Sequence, residues 1–461
     1  MSWLHEKTTE LLPRIEEAKS LKVFPYFRPM QNIGPRVRIG DKSCLNYASN
    51  DYLGLSQRPA LIEAAVKGIR KYGTGLGSAR PQATSVRHEE LERRLARWLG
   101  YRSCAVFTTG YQAIVGTMQT FLDDDTTIVL DKLSHASIMD GMLLAQGQHP
   151  DMEVRFFKHN DVAHLDKTLA GAAHEKRMIV IEGLYSVDGD LAPLADIVEV
   201  ARKHGAVIML DDAHGLGALG PTGRGVAEPH GLMNHVDLMV GTFSKSFGTV
   251  GGFVCADTPL IDYMKLSARS FVFSASLPLA QVEAALAALD IIETDHALIH
   301  RLQDNGRFFH DSLLSLGFNL GDSSTHITPI FLNEEVLTLK FGAYLFHGAN
   351  IQMMPFVAPG VPKGKERLRC NVTAVHTRAD MGYTLEALAE IGKMLGVLPG
   401  STKTNSTLTK RVYWFLNHEI RGTQNAGLPF LKHELGELGK KAVAKITGKP
   451  LPDPESGARK S

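Results

Sequence analysis

The chain has 461 residues, 44% of them hydrophobic, and its 50 lysines and arginines balance 49 acidic residues to leave a net charge of +1. This length predicts two or more domains with a sizeable core, and the even balance of charge argues against nucleic acid as the main partner. Four cysteines are far apart and form no C-x-x-C pair (Cys44, Cys104, Cys255 and Cys370), which disfavours a metal site or a disulfide framework and favours a reducing cytoplasm.

The first hundred residues predict short elements separated by turns. In order, these are a helix (5–20), an extended segment fixed by two prolines (24–29), a hairpin (36–48), a turn-rich stretch (49–55) and two helices (59–72 and 88–99). A glycine-rich loop begins directly after the first of these two helices.

From residue 104 onward, short apolar runs alternate with helical patterns. The runs predict seven strands: Cys104–Phe107, Thr127–Leu130, Val154–Phe157, Met178–Glu182, Ala206–Asp211, Val236–Gly241 and Gly252–Ala256. Helical patterns between most of them, such as Tyr111–Phe121 and Leu194–His204, indicate a mainly parallel sheet with helices on both faces. Because ligands in such folds bind at the carboxyl ends of strands, we expect the functional side chains there.

The same pattern divides the chain into four regions. We expect an N-terminal arm and hairpin (1–58), a large domain that contains the sheet (59–295), a smaller α+β domain (296–398) and a basic extension (399–461). Residues 401–461 carry 11 Lys/Arg against 5 Asp/Glu, a net charge of +6, whereas the first 400 residues carry about −5.

A lysine among small residues is the centre of the predicted site. Lys245 lies in Gly241-Thr242-Phe243-Ser244-Lys245-Ser246-Phe247-Gly248, directly after the apolar run Val236–Val240. In a pocket its amine can lose its proton and attack a carbonyl, while the hydroxyl groups of Thr242 and Ser244 can bind a phosphate. This pattern favours a lysine that forms a Schiff base with pyridoxal phosphate (PLP). The alternative is a lysine held in a buried turn.

Other strand ends can meet the remaining needs of that cofactor. The pyridine nitrogen needs a carboxylate, and Asp211 ends an apolar strand; the ring needs a flat partner, and His135 follows another strand. The N–H groups of Gly110 and Tyr111 open a helix and suit the phosphate. A capping aspartate and a structural histidine are the alternatives for Asp211 and His135.

Three further residues have suitable chemistry for cofactor or substrate. His214 and Ser186 can donate hydrogen bonds to the phenolic oxygen of the ring. Arg369 alternates with apolar residues, as on a strand, and an inward guanidinium there can hold a substrate carboxylate in a bidentate pair. A solvated arginine on the face of a strand is the alternative.

Seven stretches together resemble the α-oxoamine synthases, PLP-dependent enzymes of aminotransferase fold type I that include 8-amino-7-oxononanoate synthase and serine palmitoyltransferase. The resemblance implies an α/β fold with a large, mainly parallel seven-stranded sheet and a smaller C-terminal α+β domain. The stretches follow the family's order: SNDYLGL (49–55), LSHASIMDG (133–141), EGLYSVDGD (182–190), DDAHGLGALGPTGRG (211–225), GTFSKSFGTVGGF (241–253), FSASLP (273–278) and ERLRCNVTAVHT (366–377).

The resemblance implies a role for each matching residue. Lys245 is implied to be the Schiff-base lysine and acid/base, Asp211 the partner of the pyridine nitrogen, and His135 the stacking residue that also orients the substrate carboxylate. The other implied contacts are with the ring oxygen (Ser186 and His214), with the phosphate (Gly110, Tyr111, Thr242, Ser244 and, from the neighbouring subunit of a homodimer, Ser274) and with the substrate carboxylate (Asn50 and Arg369). No metal is implied.

The implied reaction is a decarboxylative Claisen condensation. An amino acid loses its α-proton, the carbanion attacks an acyl-CoA or acyl-carrier-protein thioester, and loss of thiol and carbon dioxide gives an α-amino ketone. GTFSKSFGTVGGF with SFVFSASLP is more similar to bacterial serine palmitoyltransferases, which favours serine and a long acyl chain. Three alternatives stay open: use of alanine or glycine, as in 8-amino-7-oxononanoate synthase or a glycine C-acyltransferase; an aminotransferase or retro-aldol lyase; and a non-catalytic regulatory subunit.

The basic extension has no counterpart in the family pattern. Residues 408–416 and 431–446 predict helices with interleaved lysines, which could pack on the body, lie on a membrane surface or dock an acidic acyl carrier protein. No apolar run reaches membrane-spanning length, and the first 22 residues lack the apolar core of a signal peptide. We therefore expect a cytoplasmic enzyme, with a peripheral place at a membrane as an open alternative.

Overall fold

The structure, a computed structural model, describes residues 2–9, 12–401 and 406–416. Its helices are α1 (Trp3–Glu6), α2 (Leu12–Ser20), α3 (Pro59–Tyr72), α4 (Val86–Leu99), α5 (Gly110–Phe121), α6 (Ala136–Gln148), α7 (Val162–Ala170), α8 (Leu194–His204), α9 (Thr258–Ser267), α10 (Arg269–Val272), α11 (Leu279–Thr294), α12 (His296–Leu316), α13 (Glu335–Ala349), α14 (Arg378–Met394) and α15 (Thr407–Trp414). Its strands are β1 (Arg36–Ile39), β2 (Lys42–Asn46), β3 (Ser103–Phe107), β4 (Thr126–Asp131), β5 (Glu153–Phe157), β6 (Lys176–Glu182), β7 (Val207–Asp211), β8 (Leu238–Thr242), β9 (Gly252–Ala256), β10 (Ile327–Phe331), β11 (Ile351–Gln352), β12 (Met354–Phe356) and β13 (Arg367–Asn371).

Seven strands form the central sheet in the order β3-β9-β8-β7-β6-β4-β5. Neighbouring strands from β8 to β5 are parallel, whereas β9 runs antiparallel to both β3 and β8. The predicted mainly parallel, seven-stranded sheet is therefore confirmed. Because the parallel strands end at one edge, the loops that follow them meet in one place.

Both faces of this sheet are buried, which explains why its strands are apolar at every position rather than at alternate ones. Along β6, Ile179 and Ile181 pack in the cluster that contains α3, α4, α7, α8 and α11. Met178 and Val180 pack on the opposite face, in the cluster that contains α5, α6, α9 and α10. Full burial of each such side chain stabilises the fold by about 1.5–3 kcal/mol.

A smaller α+β region follows α11. Strand β13 pairs antiparallel with β10 on one side and β12 on the other, and α12, α13 and α14 pack around this sheet. A third sheet joins the N-terminal hairpin of β1 and β2 to β11, which pairs in parallel with β2. The hairpin is therefore hydrogen-bonded to a strand of the C-terminal half.

The first part of the basic extension packs on the smaller region. Helix α15 lies against α13, with Val412 and Phe415 buried and the ring of Phe415 stacked 4.0 Å from that of His347. The helix predicted over 408–416 therefore forms and lies on the body of the protein. The helix predicted over 431–446 lies outside the described residues.

One tight contact joins the large sheet's loops to the smaller region. Gly189 has a positive φ of 71°, and its carbonyl accepts a hydrogen bond from Thr325 Oγ1 at 2.9 Å. A Cβ atom at this position would lie 2.0 Å from the carbonyl oxygen of Ile327, in β10. Only glycine allows the loop after β6 to approach β10 this closely.

We predict that Gly189→Ala lowers the melting temperature more than Gly100→Ala does. Gly100 ends α4 at a similar positive φ of 83°, but a Cβ atom there would meet nothing within 4 Å. Both changes carry the left-handed backbone cost of about 1–2 kcal/mol, and only Gly189→Ala adds a clash of about 1–3 kcal/mol. Thermal unfolding followed by circular dichroism measures both. Equal decreases in melting temperature for the two variants would show that the close approach of Gly189 to β10 imposes no additional cost in folding free energy.

Candidate active site

Side chains from five strand ends line one cavity of about 330 Å³. The cavity brings together eight of the residues predicted from the sequence: Gly110, Tyr111, His135, Asp211, His214, Thr242, Ser244 and Lys245. Glu182, which sequence analysis did not assign to the site, also lines it.

The amine of Lys245 has an unusual protonation balance. Lys245 follows β8, and burial lowers the pKa of its amine to about 8, with the nearby guanidinium of Arg369 acting in the same direction. Asp211 and Glu182 oppose this shift because they favour the charged ammonium. The amine is therefore neutral in a useful fraction of molecules near neutral pH, which an ordinary surface lysine is not.

Two carboxyl groups face each other across neighbouring strands. Glu182 ends β6 and Asp211 ends β7, and the two residues are direct partners in the parallel register. Burial, reinforced by the charge of Asp211, raises the pKa of the Glu182 carboxyl to about 8. Glu182 therefore favours its protonated form beside Asp211, because two adjacent buried carboxylates repel. The signal for Glu182 was available, since it ends an apolar strand just as Asp211 does.

The ring of His135 is held in one tautomer. His135 caps the N-terminus of α6, and its Nδ1 accepts a hydrogen bond from the backbone N–H of Ser137 at 3.2 Å. A backbone N–H can only donate, so Nδ1 carries the lone pair and the ring proton lies on Nε2. Burial lowers the pKa of His135, and the ring is consequently a neutral plane with one N–H donor.

The opposite end of the cavity is suited to an anion. Thr109 caps α5: its side chain accepts a hydrogen bond from the N–H of Gln112, and its carbonyl accepts one from the N–H of Ala113. These two contacts do not use the N–H groups of Gly110 and Tyr111, which can therefore bind a ligand. Nearby, the Thr242 hydroxyl donates to the carbonyl of Gly251 at 2.9 Å and lies 2.9 Å from the Ser244 hydroxyl. These donors at a helix N-terminus form a phosphate-binding arrangement.

Glycine opens the space at this end. A Cβ atom on Gly252, in β9, would lie 2.5 Å from both N and Cα of Gly110. A Cβ atom on Gly110 would lie 3.1 Å from Cβ of Thr242. The backbone of α5 can reach the strand ends only because both positions are glycine.

A second group of residues lies behind the cavity. Arg369 Nη2 donates to Asn50 Oδ1 at 2.6 Å, and Arg369 Nε donates to Asn371 Oδ1 at 3.0 Å. The Tyr52 hydroxyl lies 2.6 Å from Nδ1 of His214, 3.3 Å from Asn50 Oδ1 and 3.5 Å from Arg369 Nη2. Arg369 is buried, so it is not a solvated arginine on the face of a strand.

Tyr52 connects this group to the cavity. Its side chain is fully buried, and its hydroxyl bridges His214 and the Asn50–Arg369 pair. Burial lowers the pKa of His214 well below its ordinary value, so this ring is also neutral. Tyr52 could not be predicted from a local pattern, because its contact with His214 joins residues that are 162 positions apart.

Two predicted cofactor contacts, like the predicted substrate contacts Asn50 and Arg369, are not part of the cavity lining. Ser186 is half-buried in the loop after β6, where its backbone hydrogen-bonds the Glu182 carboxyl. Ser274 accepts a hydrogen bond from Nε2 of Gln112, on α5 of the same chain, at 2.7 Å. Among the lining residues, the Tyr111 hydroxyl donates to Asp140 at 2.5 Å, which fixes its ring at the mouth of the cavity.

The donor set fits pyridoxal phosphate. The cavity is lined by an anion cradle, by the carboxyl groups of Asp211 and Glu182, and by a lysine whose amine can be neutral. A neutral imidazole lies at its side. These are the groups that the phosphate, the pyridine nitrogen, the aldehyde and the ring face of this cofactor require.

Comparison with protein families and curated relatives gives a consistent result. The model of the family described as aminotransferase class I and II matches residues 42–388. The 8-amino-7-oxononanoate synthase of Thermoanaerobacter pseudethanolicus is 38% identical over 389 residues, which cover 84% of this chain and 97% of that protein.

Solved structures resemble the chain closely. The serine palmitoyltransferase from S. paucimobilis with bound PLP–myriocin has a TM-score of 0.81 and is 33% identical over 85% of this chain and 99% of its own. The Sphingomonas wittichii serine palmitoyltransferase has a TM-score of 0.80 and is 32% identical, with the same coverage of both chains.

We predict that Lys245 is modified by aldehyde plus cyanoborohydride with a rate that rises through about pH 8. Asp211→Asn lowers this midpoint, because it removes a charge that favours the ammonium, and Arg369→Gln raises it, because it removes a repelling cation. Peptide mass spectrometry of pulse-labelled protein measures the rate at each pH. Lys176 is the internal reference, since its hydrogen bond to Asp123 raises its pKa above the ordinary value. Parallel pH profiles for the two lysines would refute the assignment.

Proposed function

The chain belongs to the aminotransferase class I and II family and, within it, to the α-oxoamine synthases; on this basis we propose that it catalyses a PLP-dependent decarboxylative condensation of an amino acid with an acyl thioester. The family and the fold type expected from the motifs are thereby confirmed. The products are an α-amino ketone, carbon dioxide and a free thiol.

One observation carries this proposal. Lys245, with a pKa lowered to about 8, shares a cavity with the facing carboxyl groups of Asp211 and Glu182 and with a helix N-terminus suited to phosphate. A neutral amine can form a covalent link to an aldehyde and can afterwards accept a proton. The surrounding groups match the rest of the cofactor.

The residues of the cavity would hold PLP at several points. Asp211 would bind the pyridine nitrogen, His135 the ring face, and His214 with Ser186 the ring oxygen. The phosphate would be bound by N–H groups and hydroxyls: Gly110, Tyr111, Thr242, Ser244 and, from a second subunit, Ser274. When bound, the cofactor supplies an electron sink for the carbanion at the α-carbon of the amino acid.

The substrate carboxylate would bind to Arg369 and Asn50. The guanidinium of Arg369 is fixed by Asn371 and Asn50, so it is oriented before substrate arrives. Both side chains are linked to His214 through the Tyr52 hydroxyl, and His135, with its Nε2–H donor, lines the same cavity as His214. A carboxylate held by these residues leaves the α-hydrogen as the group that Lys245 can reach.

This reaction requires a group that removes and later returns a proton at the α-carbon, and Lys245 has that role. Its neutral amine removes the α-proton, and the α-carbon forms a bond with the thioester carbonyl carbon while the C–S bond breaks. The sulfur leaves as a thiolate, which takes a proton from solvent to give the free thiol. The bond to the substrate carboxylate breaks next and releases carbon dioxide. Lys245, now an ammonium, returns its proton to the α-carbon, so that protons and electron pairs balance.

Two substrate pairs have support. The solved serine palmitoyltransferases, with TM-scores of 0.80 and 0.81, support serine and a long acyl chain. The 38% identity to an 8-amino-7-oxononanoate synthase supports the second pair. The carbon skeleton in that name corresponds to decarboxylated alanine joined to a seven-carbon acyl group that ends in a carboxylate. We take serine with a long chain as the first candidate.

A rival pyridoxal enzyme, an aminotransferase or retro-aldol lyase, needs the same lysine and aspartate but neither a thioester nor carbon dioxide release. A non-catalytic subunit needs no reactive lysine. The lowered pKa of Lys245 disfavours the second rival. The relatives named above disfavour the first.

We propose a homodimer as the working form. Large apolar side chains are exposed beside the cavity, with Tyr111 and Val250 each 49% exposed and Phe273 76% exposed. A second copy of the chain would cover this rim and would bring its own Ser274 towards the phosphate. In a single chain, that serine binds Gln112 instead.

The location and the tail belong to the same proposal. No helix within the described ranges is long and apolar enough to cross a membrane. We propose a cytoplasmic enzyme whose basic residues beyond 416 recruit the thioester donor at a membrane surface or on an acyl carrier protein. The part before residue 417 has a different role, since α15 packs on α13.

We predict that the holoenzyme releases carbon dioxide and free thiol in equal amounts when serine and a long-chain acyl-CoA are both present. Carbon dioxide from 1-¹⁴C-labelled amino acid and thiol from a chromogenic disulfide measure the two products. Glycine, alanine and threonine, each with short-chain, long-chain and ω-carboxylated thioesters, complete the matrix.

Each result in that matrix has a definite meaning. Turnover with alanine and an ω-carboxylated thioester would support the proposed condensation but would show that the substrates are the second pair rather than serine and a long-chain thioester. Carbon dioxide release without thioester, or amino transfer to a keto acid, would overturn the condensation. Lys245→Arg is the control for background, because a guanidinium neither links to the cofactor nor accepts a proton at this pH.

A further inference from the structure

A group of three ionisable residues, two of them buried and one half-buried, lies outside the cavity. Asp131 ends β4, His159 follows β5, and Asp190 closes the loop that follows β6. His159 Nδ1 lies 3.0 Å from Asp131 Oδ1, and His159 Nε2 lies 2.7 Å from Asp190 Oδ2. We call these residues the Asp131–His159–Asp190 triad. It joins the segments after three parallel strands.

The ring of His159 is a cation. Each of its nitrogens faces a carboxylate oxygen that can only accept, so each nitrogen must donate a proton. Burial opposes the charge, but the two carboxylates outweigh burial and raise the pKa of His159 to about 10. Asn160 completes the cluster, with its N–H donating to Asp131 Oδ2 at 3.0 Å and its Nδ2 donating to Asp190 Oδ2 at 2.9 Å.

The triad fixes the two loops that carry predicted ring contacts. Asp131 Oδ1 accepts the N–H of Leu133 at 2.8 Å, two residues before His135. The carbonyl of Asp190 accepts the N–H of Tyr185 at 3.0 Å, one residue before Ser186. The ring of His159 also meets the ring of Tyr185 edge-on, with centroids 4.5 Å apart.

Stability alone is a poor explanation for this cluster. The Asp131 side chain is fully buried, that of Asp190 is 9% exposed and that of His159 is 24% exposed, so forming the triad requires the two carboxylates to lose nearly all of their water and the imidazolium to lose much of it. Apolar side chains of similar volume would fill such a site at equal or lower cost in folding free energy. What charged groups provide here is a fixed distance and direction between two loops.

We propose that the Asp131–His159–Asp190 triad is a positioning device that sets the separation of His135 and Ser186 and so orients the ring of the cofactor. This inference rests on the proposed function, in that it takes PLP as the ligand of the cavity. The phosphate-binding residues of this chain's cavity lie on α5, at the end of β8 and directly after β8, and the triad contacts none of these segments.

The test compares the binding of PLP and of inorganic phosphate to the apoenzyme of two matched variants. His159→Gln removes the triad cation. His204→Gln removes a histidine that lies 2.7 Å from Asp166 at the surface between α7 and α8, away from both loops. Dissociation constants are measured for PLP by absorbance titration and for inorganic phosphate by its competition with PLP.

We expect His159→Gln to weaken PLP binding by about tenfold, the lower end of the effect of removing a partner that orients a ligand group. Phosphate binding stays unchanged, and the circular dichroism of the bound cofactor changes because its ring is held differently. His204→Gln alters neither constant. Asp190→Asn, which keeps the shape of the side chain, replaces His159→Gln if the latter does not fold and is expected to show the same selective loss.

Two outcomes would overturn the proposal. Unchanged PLP binding in the triad variants would show that the triad does not orient the ring. Equal weakening of PLP and phosphate would show that its role is general stability. Both outcomes are independent of the condensation: native enzyme that binds PLP but releases no carbon dioxide with any substrate pair refutes the proposed function and leaves the triad result standing.

Discussion

The active site depends on the placement of one amine among buried carboxyl groups. Burial favours the neutral form of Lys245, and the carboxyl groups of Asp211 and Glu182 favour the charged form. The balance leaves a pKa of about 8, between that of a surface lysine and that of an amine in an apolar pocket. The parallel sheet makes this balance possible, because β6, β7 and β8 are neighbours and end together at the cavity.

The substrate side of the site is assembled from three parts of the chain. Arg369 lies on β13 of the smaller region, Asn50 and Tyr52 lie in the N-terminal segment, and His214 follows β7 of the large sheet. Hydrogen bonds of 2.6 Å join these parts, so the orientation of the two regions decides where a substrate carboxylate is held. The close approach of Gly189 to β10 fixes that orientation from the other side, and the Asp131–His159–Asp190 triad fixes the loop that contains Gly189.

Sequence patterns predicted the elements that have a local periodic pattern and the site residues that follow or end a strand. Seven apolar runs gave the sheet, and residues at their carboxyl ends, such as Asp211 and Lys245, line the cavity. Tyr52 and His159 could not be predicted in the same way, because their partners come from distant loops that meet only in the fold. Glu182 was missed although it ends a strand, because a buried carboxylate beside Asp211 is costly until Lys245 is placed beside both. The sequence predicted a helix over 408–416 but left its contact open, since this segment carries both the basic pair Lys410 and Arg411 and the apolar pair Val412 and Phe415.

The most direct measurement is hydrogen exchange at the α-carbon of serine and of alanine in D₂O, with holoenzyme and no thioester, followed by proton nuclear magnetic resonance. The account predicts that the native enzyme exchanges the α-hydrogen of its amino acid at a rate that rises through about pH 8. It also predicts that Lys245→Arg shows no exchange above background, because a guanidinium does not accept a proton at this pH. Exchange at the native rate in Lys245→Arg would contradict the central claim that Lys245 handles the α-proton.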